Sequence, residues 1–98
     1  MEEVVIVAKL KIKEEFYAEV YKELIILHEN THKYDNGCLQ YDLHQNTEDR
    51  YSFVFVETWS GMDMLKEHES KEHFKMFIKK IENQLENLQI NTFKKIKG

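Results

Sequence analysis

The stretch Tyr51-Ser-Phe-Val-Phe-Val-Glu-Thr-Trp59 is the most apolar segment of the chain, and its pattern predicts a β-strand. Successive side chains of a strand point to opposite faces, so Phe53 and Phe55 share one face. Val54 and Val56 occupy the other face, which is therefore apolar as well. Because a strand that is apolar on both sides needs cover on both, the stretch predicts a sheet lying between two layers.

Hydropathy patterns outside this strand predict three further strands and three helices. Alternating residues predict strands over residues 4–12, 38–45 and 88–96. Apolar residues spaced by three and four predict helices over residues 13–31, 62–68 and 71–86, with Ser60 and Ser70 as the N-caps of the last two. The order β-α-β-β-α-β is that of a ferredoxin-like α+β fold, in which helices cover one face of a four-stranded antiparallel sheet.

The cover for the Val54 and Val56 face has to come from outside the chain, because one copy supplies helices for one face only. The simplest source of a second layer is another copy of the same sheet. We therefore expect a homodimer that packs through its sheet faces.

The length and composition of the chain indicate one globular domain spanning residues 1–98. The apolar content is 42% and the net charge is −4, with no basic stripe, which argues against nucleic-acid binding. No apolar run approaches the roughly 20 residues that span a bilayer, so no membrane partner is expected. Cys38 is the single cysteine, which excludes an internal disulfide, and the N-terminus lacks a signal-peptide pattern, so we expect a cytoplasmic protein.

Glu57 is the most suggestive chemical feature, because alternation places its carboxylate on the aromatic face with Trp59. A carboxylate enclosed among aromatic side chains needs a partner or a purpose. A buried carboxylate beside a histidine such as His68 orients the ring and raises its basicity, which is how a general base is built. The alternatives are that Glu57 is solvated at the strand end or pairs with a lysine.

His68 and His73 are five residues apart, so on one unbroken helix they would lie about 140° apart and would not share a metal. A helix break at Ser70 would let them converge, whereas the alternative is a pair of surface histidines flanking the break. Asp42 and His44 alternate onto one side of the second predicted strand, where they line either the pocket mouth or a solvated edge. No metal site is predicted.

His28-Glu-Asn-Thr-His32 spells H-E-x-x-H, the motif of zinc proteases. In those enzymes the motif lies mid-helix in a larger fold and needs a third ligand and an open cleft. Here it falls at the end of the first predicted helix, where the helix dipole favours a histidine. We interpret the two histidines as residues of a helix end rather than as metal ligands.

Three segments together resemble the antibiotic biosynthesis monooxygenase (ABM) family. They are Gly37-Cys-Leu-Gln-Tyr-Asp-Leu-His44, Phe53-Val-Phe-Val-Glu-Thr-Trp59 and His68-x4-His73-Phe74. The resemblance covers residues 4–96 and depends on the spacing Glu-x-Trp-x8-His-x4-His. It implies a ferredoxin-like domain that dimerises through its sheets into an α/β barrel, with a pocket between sheet and helices in each subunit.

The same resemblance implies a monooxygenase that oxidises a small quinol or other phenolic aromatic with O2 and needs neither a metal nor a flavin cofactor. It implies that His68 is the base or a proton shuttle, that Glu57 orients His68 and that Trp59 forms a wall. The residues that would line the pocket by position are His73, His44, Tyr41 and Phe77.

Two alternatives remain. Similar proteins of the family isomerise a small carbonyl compound, such as a phosphorylated sugar-derived signal, and share the glutamate and both histidines. A dimer that binds a ligand or serves in a stress response without turnover fits the same barrel. A haem-degrading branch is disfavoured, because it uses an asparagine on the first strand and a helix tryptophan, whereas this first strand has no Asn and the helix position carries His68.

Overall fold

The strand predicted from the opening stretch lies inside a four-stranded antiparallel sheet. The computed structural model describes residues 2–98. Its elements are β1 (Val4–Ile12), a 3-10 turn (Glu14–Phe16), α1 (Tyr17–Tyr34), β2 (Cys38–Gln45), β3 (Ser52–Trp59), α2 (Met62–Ser70), α3 (Glu72–Ile81) and β4 (Leu85–Lys94). The strands lie in the order β2-β3-β1-β4, and the arrangement confirms the predicted ferredoxin-like α+β fold.

One face of the sheet packs against the helices and forms the core. On β3, every second side chain is buried and the residues between are half-buried, as the alternation predicts. The buried members are Phe53, Phe55, Glu57 and Trp59. Fully burying an aliphatic or aromatic side chain contributes about 1.5–3 kcal/mol. A one-residue slip of the strand would expose this whole set, so burial fixes the register.

The opposite face of the sheet is apolar at its centre and remains half-exposed. Val7 pairs with Val56 across β1 and β3, and both side chains are half-buried. Val5 pairs with Phe93 of β4, whose side chain is 51% exposed. The chain therefore leaves uncovered the face for which the sequence predicts a partner sheet, and the homodimer itself stays a prediction.

The last helix ends earlier than predicted, at Ile81 rather than residue 86, and β4 begins earlier, at Leu85. Pairing with β1 decides this boundary, because Leu85 is the strand partner of Ile12 and the amide of Lys13 donates to the carbonyl of Gln84 at 3.0 Å. In the sequence, the helical spacing of apolar residues continues past Ile81. In the structure, the backbone there pairs with β1 instead of continuing the helix.

The predicted serine caps are not used as caps. Gly61 precedes α2 and Lys71 separates α2 from α3, and neither makes a side-chain capping bond. Ser70 is the final residue of α2, and its hydroxyl donates to the carbonyl of Glu67 at 2.7 Å. The chain nevertheless breaks at Lys71, which has extended backbone angles, so the two helices are separate as expected.

The turn before β2 is tied closely to α2 by Gly37. Its φ of +74° is a conformation that glycine adopts without strain. Its carbonyl accepts a hydrogen bond from the amide of Ser60 at 2.8 Å, and a Cβ on it would collide with Met64 of α2. This close approach brings Asp35 next to His68 of α2.

None of the helices within residues 2–98 combines the length and the apolar character needed to cross a membrane.

Candidate active site

A cavity of about 60 Å³ lies between the helix-covered face of the sheet and the helices. Its walls are mostly aliphatic and aromatic, and its polar groups come from Tyr41, Glu57, His68 and Glu69. Leu88 and Ile90 on the edge strand β4 also line it, although these side chains are 46% and 53% exposed. The cavity therefore runs from a buried polar end to an apolar mouth at the sheet edge.

Glu57 supplies a carboxyl group to the buried end of the cavity. It lies on β3 between neighbours Ile6 of β1 and Tyr41 of β2, and the residue is only 6% exposed. Its Oε1 accepts a hydrogen bond from Trp59 Nε1 at 2.9 Å. Burial raises the pKa of Glu57 to about 7, opposed by the Trp59 bond and reinforced by the charge of Glu69. Glu57 can therefore give or take a proton near neutral pH.

His68 is the second titratable group at this end of the cavity. The residue is 2% exposed and its ring lies 4.6 Å from that of Trp59 and 4.8 Å from that of Phe74, centroid to centroid. Its Nδ1 forms a hydrogen bond with Asp35 Oδ2. Burial lowers the pKa of His68, although Asp35 opposes this effect. A neutral ring that donates from Nδ1 keeps its lone pair on Nε2, which makes Nε2 the basic atom.

Asp35 is the residue that the sequence interpretation missed. It follows α1 directly, and its side chain is 1% exposed. The expectation that Glu57 orients His68 is corrected, because Asp35 binds His68 and Glu57 binds Trp59. In the sequence, Tyr34-Asp-Asn-Gly37 indicates only a turn, and nothing local shows that Asp35 faces a helix that begins 27 residues later.

His73 lies behind the cavity rather than in its wall. It belongs to α3, and its ring centroid is 6.3 Å from that of His68. Its Nε2 lies 3.1 Å from Asp35 Oδ1, but the angles are unsuitable for a hydrogen bond and neither atom has another partner. The break between the helices thus brings both histidines to one carboxylate, and the placement of His73 on the pocket lining is corrected.

The other predicted site residues divide between the cavity and the surface. Tyr41 and Phe77 line the cavity, and Trp59 packs behind it with no exposed surface. Burial raises the pKa of Tyr41 well above its ordinary value, with a further contribution from the charge of Glu57, so its hydroxyl stays protonated. His44 is exposed and does not line this cavity, because it alternates with Tyr41 and Leu43 onto the opposite face of β2.

The H-E-x-x-H histidines lie in the last two turns of α1. His32 Nε2 bonds to the carbonyl of Tyr41 at 2.8 Å, and the rings of His28 and His32 are 4.4 Å apart. Cys38 is half-buried, and burial together with the charges of Glu57 and Asp35 raises its pKa to about 11. A thiol that stays protonated is a poor nucleophile.

Residues 3–80 match the antibiotic biosynthesis monooxygenase (ABM) family, and the chain belongs to that family. The fold and the cavity between sheet and helices agree with the resemblance drawn from the sequence. None of the curated proteins matches the chain in sequence.

Solved structures of similar proteins share the fold over nearly the whole chain. A Pseudomonas aeruginosa protein is 28% identical, with a TM-score of 0.90 over 99% of this chain and 97% of that one. A conserved Methanosarcina mazei protein is 27% identical, with a TM-score of 0.88 over 97% of this chain and 94% of its own. A candidate antibiotic biosynthesis monooxygenase from Caulobacter crescentus is 23% identical, with a TM-score of 0.90 over 98% and 92% of the two chains, and this likeness shows the fold alone.

Proposed function

We propose that the chain is a monooxygenase that oxidises a small phenol or quinol with O2, with His68 as the general base and no metal or flavin in the reaction. The environment of His68 is the main support for this proposal. Its Nδ1 is held by a buried carboxylate, while the ring borders an apolar cavity. Membership of the ABM family supports an oxidative reaction.

The proposed reaction begins when His68 Nε2 takes a phenolic proton. The phenolate is electron-rich enough to pass an electron to O2, and recombination of the two radicals forms a carbon–oxygen bond. Cleavage of the resulting peroxide leaves one oxygen atom on the ring and releases the other as water. A hydroquinone plus O2 gives a hydroxyquinone plus water, so the substrate supplies all the electrons and no external reductant is needed.

Glu57 suits the second half of this reaction. Its pKa of about 7 keeps a large fraction of the carboxyl protonated near neutral pH. The protonated group can supply the proton that leaves with the cleaved peroxide oxygen. Trp59 fixes the carboxyl through its Nε1 bond, and the apolar walls exclude water from the radical pair.

The size of the cavity limits the substrate. A cavity of about 150 Å³ accommodates benzene, whereas this one has about 60 Å³. A single aromatic ring therefore has to enter through the mouth and displace side chains there. Leu88 and Ile90 are suited to this, because β4 is the edge strand and both are about half exposed.

We further propose that two copies associate through the half-exposed sheet face. The apolar centre of that face, with Val7 paired to Val56, and the exposed Phe93 support this arrangement. A second sheet would remove these side chains from water. Static light scattering at micromolar protein measures the mass directly, and a mass of one chain would contradict the proposal.

Oxygen uptake with a panel of single-ring hydroquinones tests the function. We expect uptake by the wild-type protein, its loss in His68→Gln and its retention in His28→Gln, which changes a histidine outside the cavity. Proton–deuterium exchange of a carbonyl substrate without uptake would instead favour the isomerase, for which Glu57 and His68 also provide an acid–base pair. Saturable binding with neither reaction would indicate a binding protein.

A further inference from the structure

Asp35, His68 and His73 form a compact cluster on the side of His68 away from the cavity. They come from the turn after α1, from α2 and from α3. One potential ligand atom from each residue lies within 4.8 Å of the others. The side chains of Asp35 and His68 are 1% and 2% exposed, and that of His73 is 16% exposed.

Two atoms of the cluster lack a hydrogen-bond partner. Asp35 Oδ1 and His73 Nε2 are both buried and lie 3.1 Å apart without forming a hydrogen bond. Buried polar atoms are rarely left unsatisfied in folded proteins, because each loses its interactions with water. A carboxylate oxygen and an imidazole lone pair are both electron donors, so a cation between them satisfies both.

We propose that Asp35, His68 and His73 bind a divalent transition-metal ion, with Zn²⁺ as the representative ion. Two imidazoles and one carboxylate suit Zn²⁺ and its neighbours, whereas Ca²⁺ and Mg²⁺ prefer oxygen ligands alone. The bound ion takes the Nδ1 lone pair of His68, whose ring proton moves to Nε2, and the Asp35–His68 hydrogen bond gives way to bonds with the metal. Water completes the coordination from the partly exposed side of His73.

The site shares His68 with the proposed chemistry of the cavity. When the ion takes the Nδ1 lone pair, the proton of the neutral ring lies on Nε2, so His68 does not act as the base while the metal is bound. Because the three ligands belong to a turn and two helices, the ion links α2 and α3 to the start of β2. Metal binding therefore stabilises the folded chain even when no substrate is present.

Equilibrium dialysis of the chelator-treated protein against Zn²⁺, with the metal counted by atomic absorption, tests the proposal without an activity assay. We expect one Zn²⁺ per chain at micromolar free metal, together with a rise in the unfolding temperature. In His73→Gln the Zn²⁺ affinity should fall by at least about 10- to 100-fold, since losing even a residue that only hydrogen-bonds to a metal ligand weakens metal binding by this much. His28→Gln is the matched control and should bind like the wild type.

Three results would overturn the metal site: no stoichiometric Zn²⁺ at micromolar concentration, unchanged affinity in His73→Gln, or loss of binding in His28→Gln. The last would place the ion at H-E-x-x-H instead. Histidine-ring NMR of the wild type keeps the test decisive if His73→Gln does not fold. Zn²⁺ should shift the resonances of His68 and His73 and leave those of His28 and His44 in place, and the reverse pattern would contradict the proposal.

Discussion

Replacing Glu57 by glutamine should change how the stability of the protein depends on pH. The pKa of Glu57 rises from 4.5 to about 7 on folding, mainly because the group is buried. At about 1.4 kcal/mol per pKa unit, this difference corresponds to about 3.5 kcal/mol. A carboxyl whose pKa is higher in the folded state stabilises the fold fully below its unfolded pKa, and this contribution is lost as pH rises through the folded pKa.

The wild type should therefore lose stability between pH 4.5 and about pH 7 through this group alone. Glu57→Gln resembles the protonated form, keeps an oxygen to accept the Trp59 bond, and does not titrate. Between about pH 5 and about pH 8, the free energy of unfolding of Glu57→Gln relative to wild type should rise by about 2.5 kcal/mol. Any pH-independent cost of the substitution cancels in this comparison.

Urea denaturation followed by tryptophan fluorescence measures the required free energies, at one protein concentration because association would contribute to stability. Glu29→Gln, which changes an exposed glutamate on α1, is the matched control. The difference between its free energy of unfolding and that of the wild type should be the same at every pH. If the difference in free energy of unfolding between Glu57→Gln and wild type stays constant within about 0.5 kcal/mol over this range, the ionised carboxylate costs nothing in the fold, contrary to our expectation.

Three further changes test other parts of the structure. Asp35→Asn removes the carboxylate that orients His68, so kcat for a hydroquinone should fall about 100-fold with little change in KM, measured by oxygen uptake; an unchanged kcat would show that Asp35 does not position the base. Gly37→Ala forces a Cβ against Met64 at a φ of +74° and should destabilise the fold by about 1–3 kcal/mol; urea unfolding at the wild-type midpoint would contradict this. Val56→Lys places a charge at the centre of the open sheet face and should give the mass of a single chain in light scattering, whereas retention of a dimer would exclude that face as the interface.

The β3 strand and the layered fold could be predicted because their signal is periodic and local. Alternation placed Phe53 and Val54 on opposite faces, and burial follows that pattern. Helix and strand ends were less predictable. At Ile81 and Leu85 the boundary depends on pairing with β1, which is more than seventy residues away in the chain.

The hydrogen bonds between site residues could not be predicted from the sequence, because they are tertiary contacts. Nothing near Asp35 indicates His68, which is 33 residues away, so their bond appears only in the folded chain. Two features of the site could have been predicted from strand geometry alone. Glu57 and Trp59 are two residues apart on one face and therefore adjacent, and Tyr41 and His44 are three apart and therefore on opposite faces.

In the proposed mechanism, His68 drives insertion of one atom of O2 into a small phenolic substrate. The most direct test supplies isotopically heavy oxygen gas with a hydroquinone and follows the product by mass spectrometry, for wild type and His68→Gln. We predict one heavy oxygen atom per product molecule from the wild type, and loss of that product in His68→Gln with substrate binding retained. Product without heavy oxygen, or labelled product formed at an undiminished rate by His68→Gln, would contradict this mechanism.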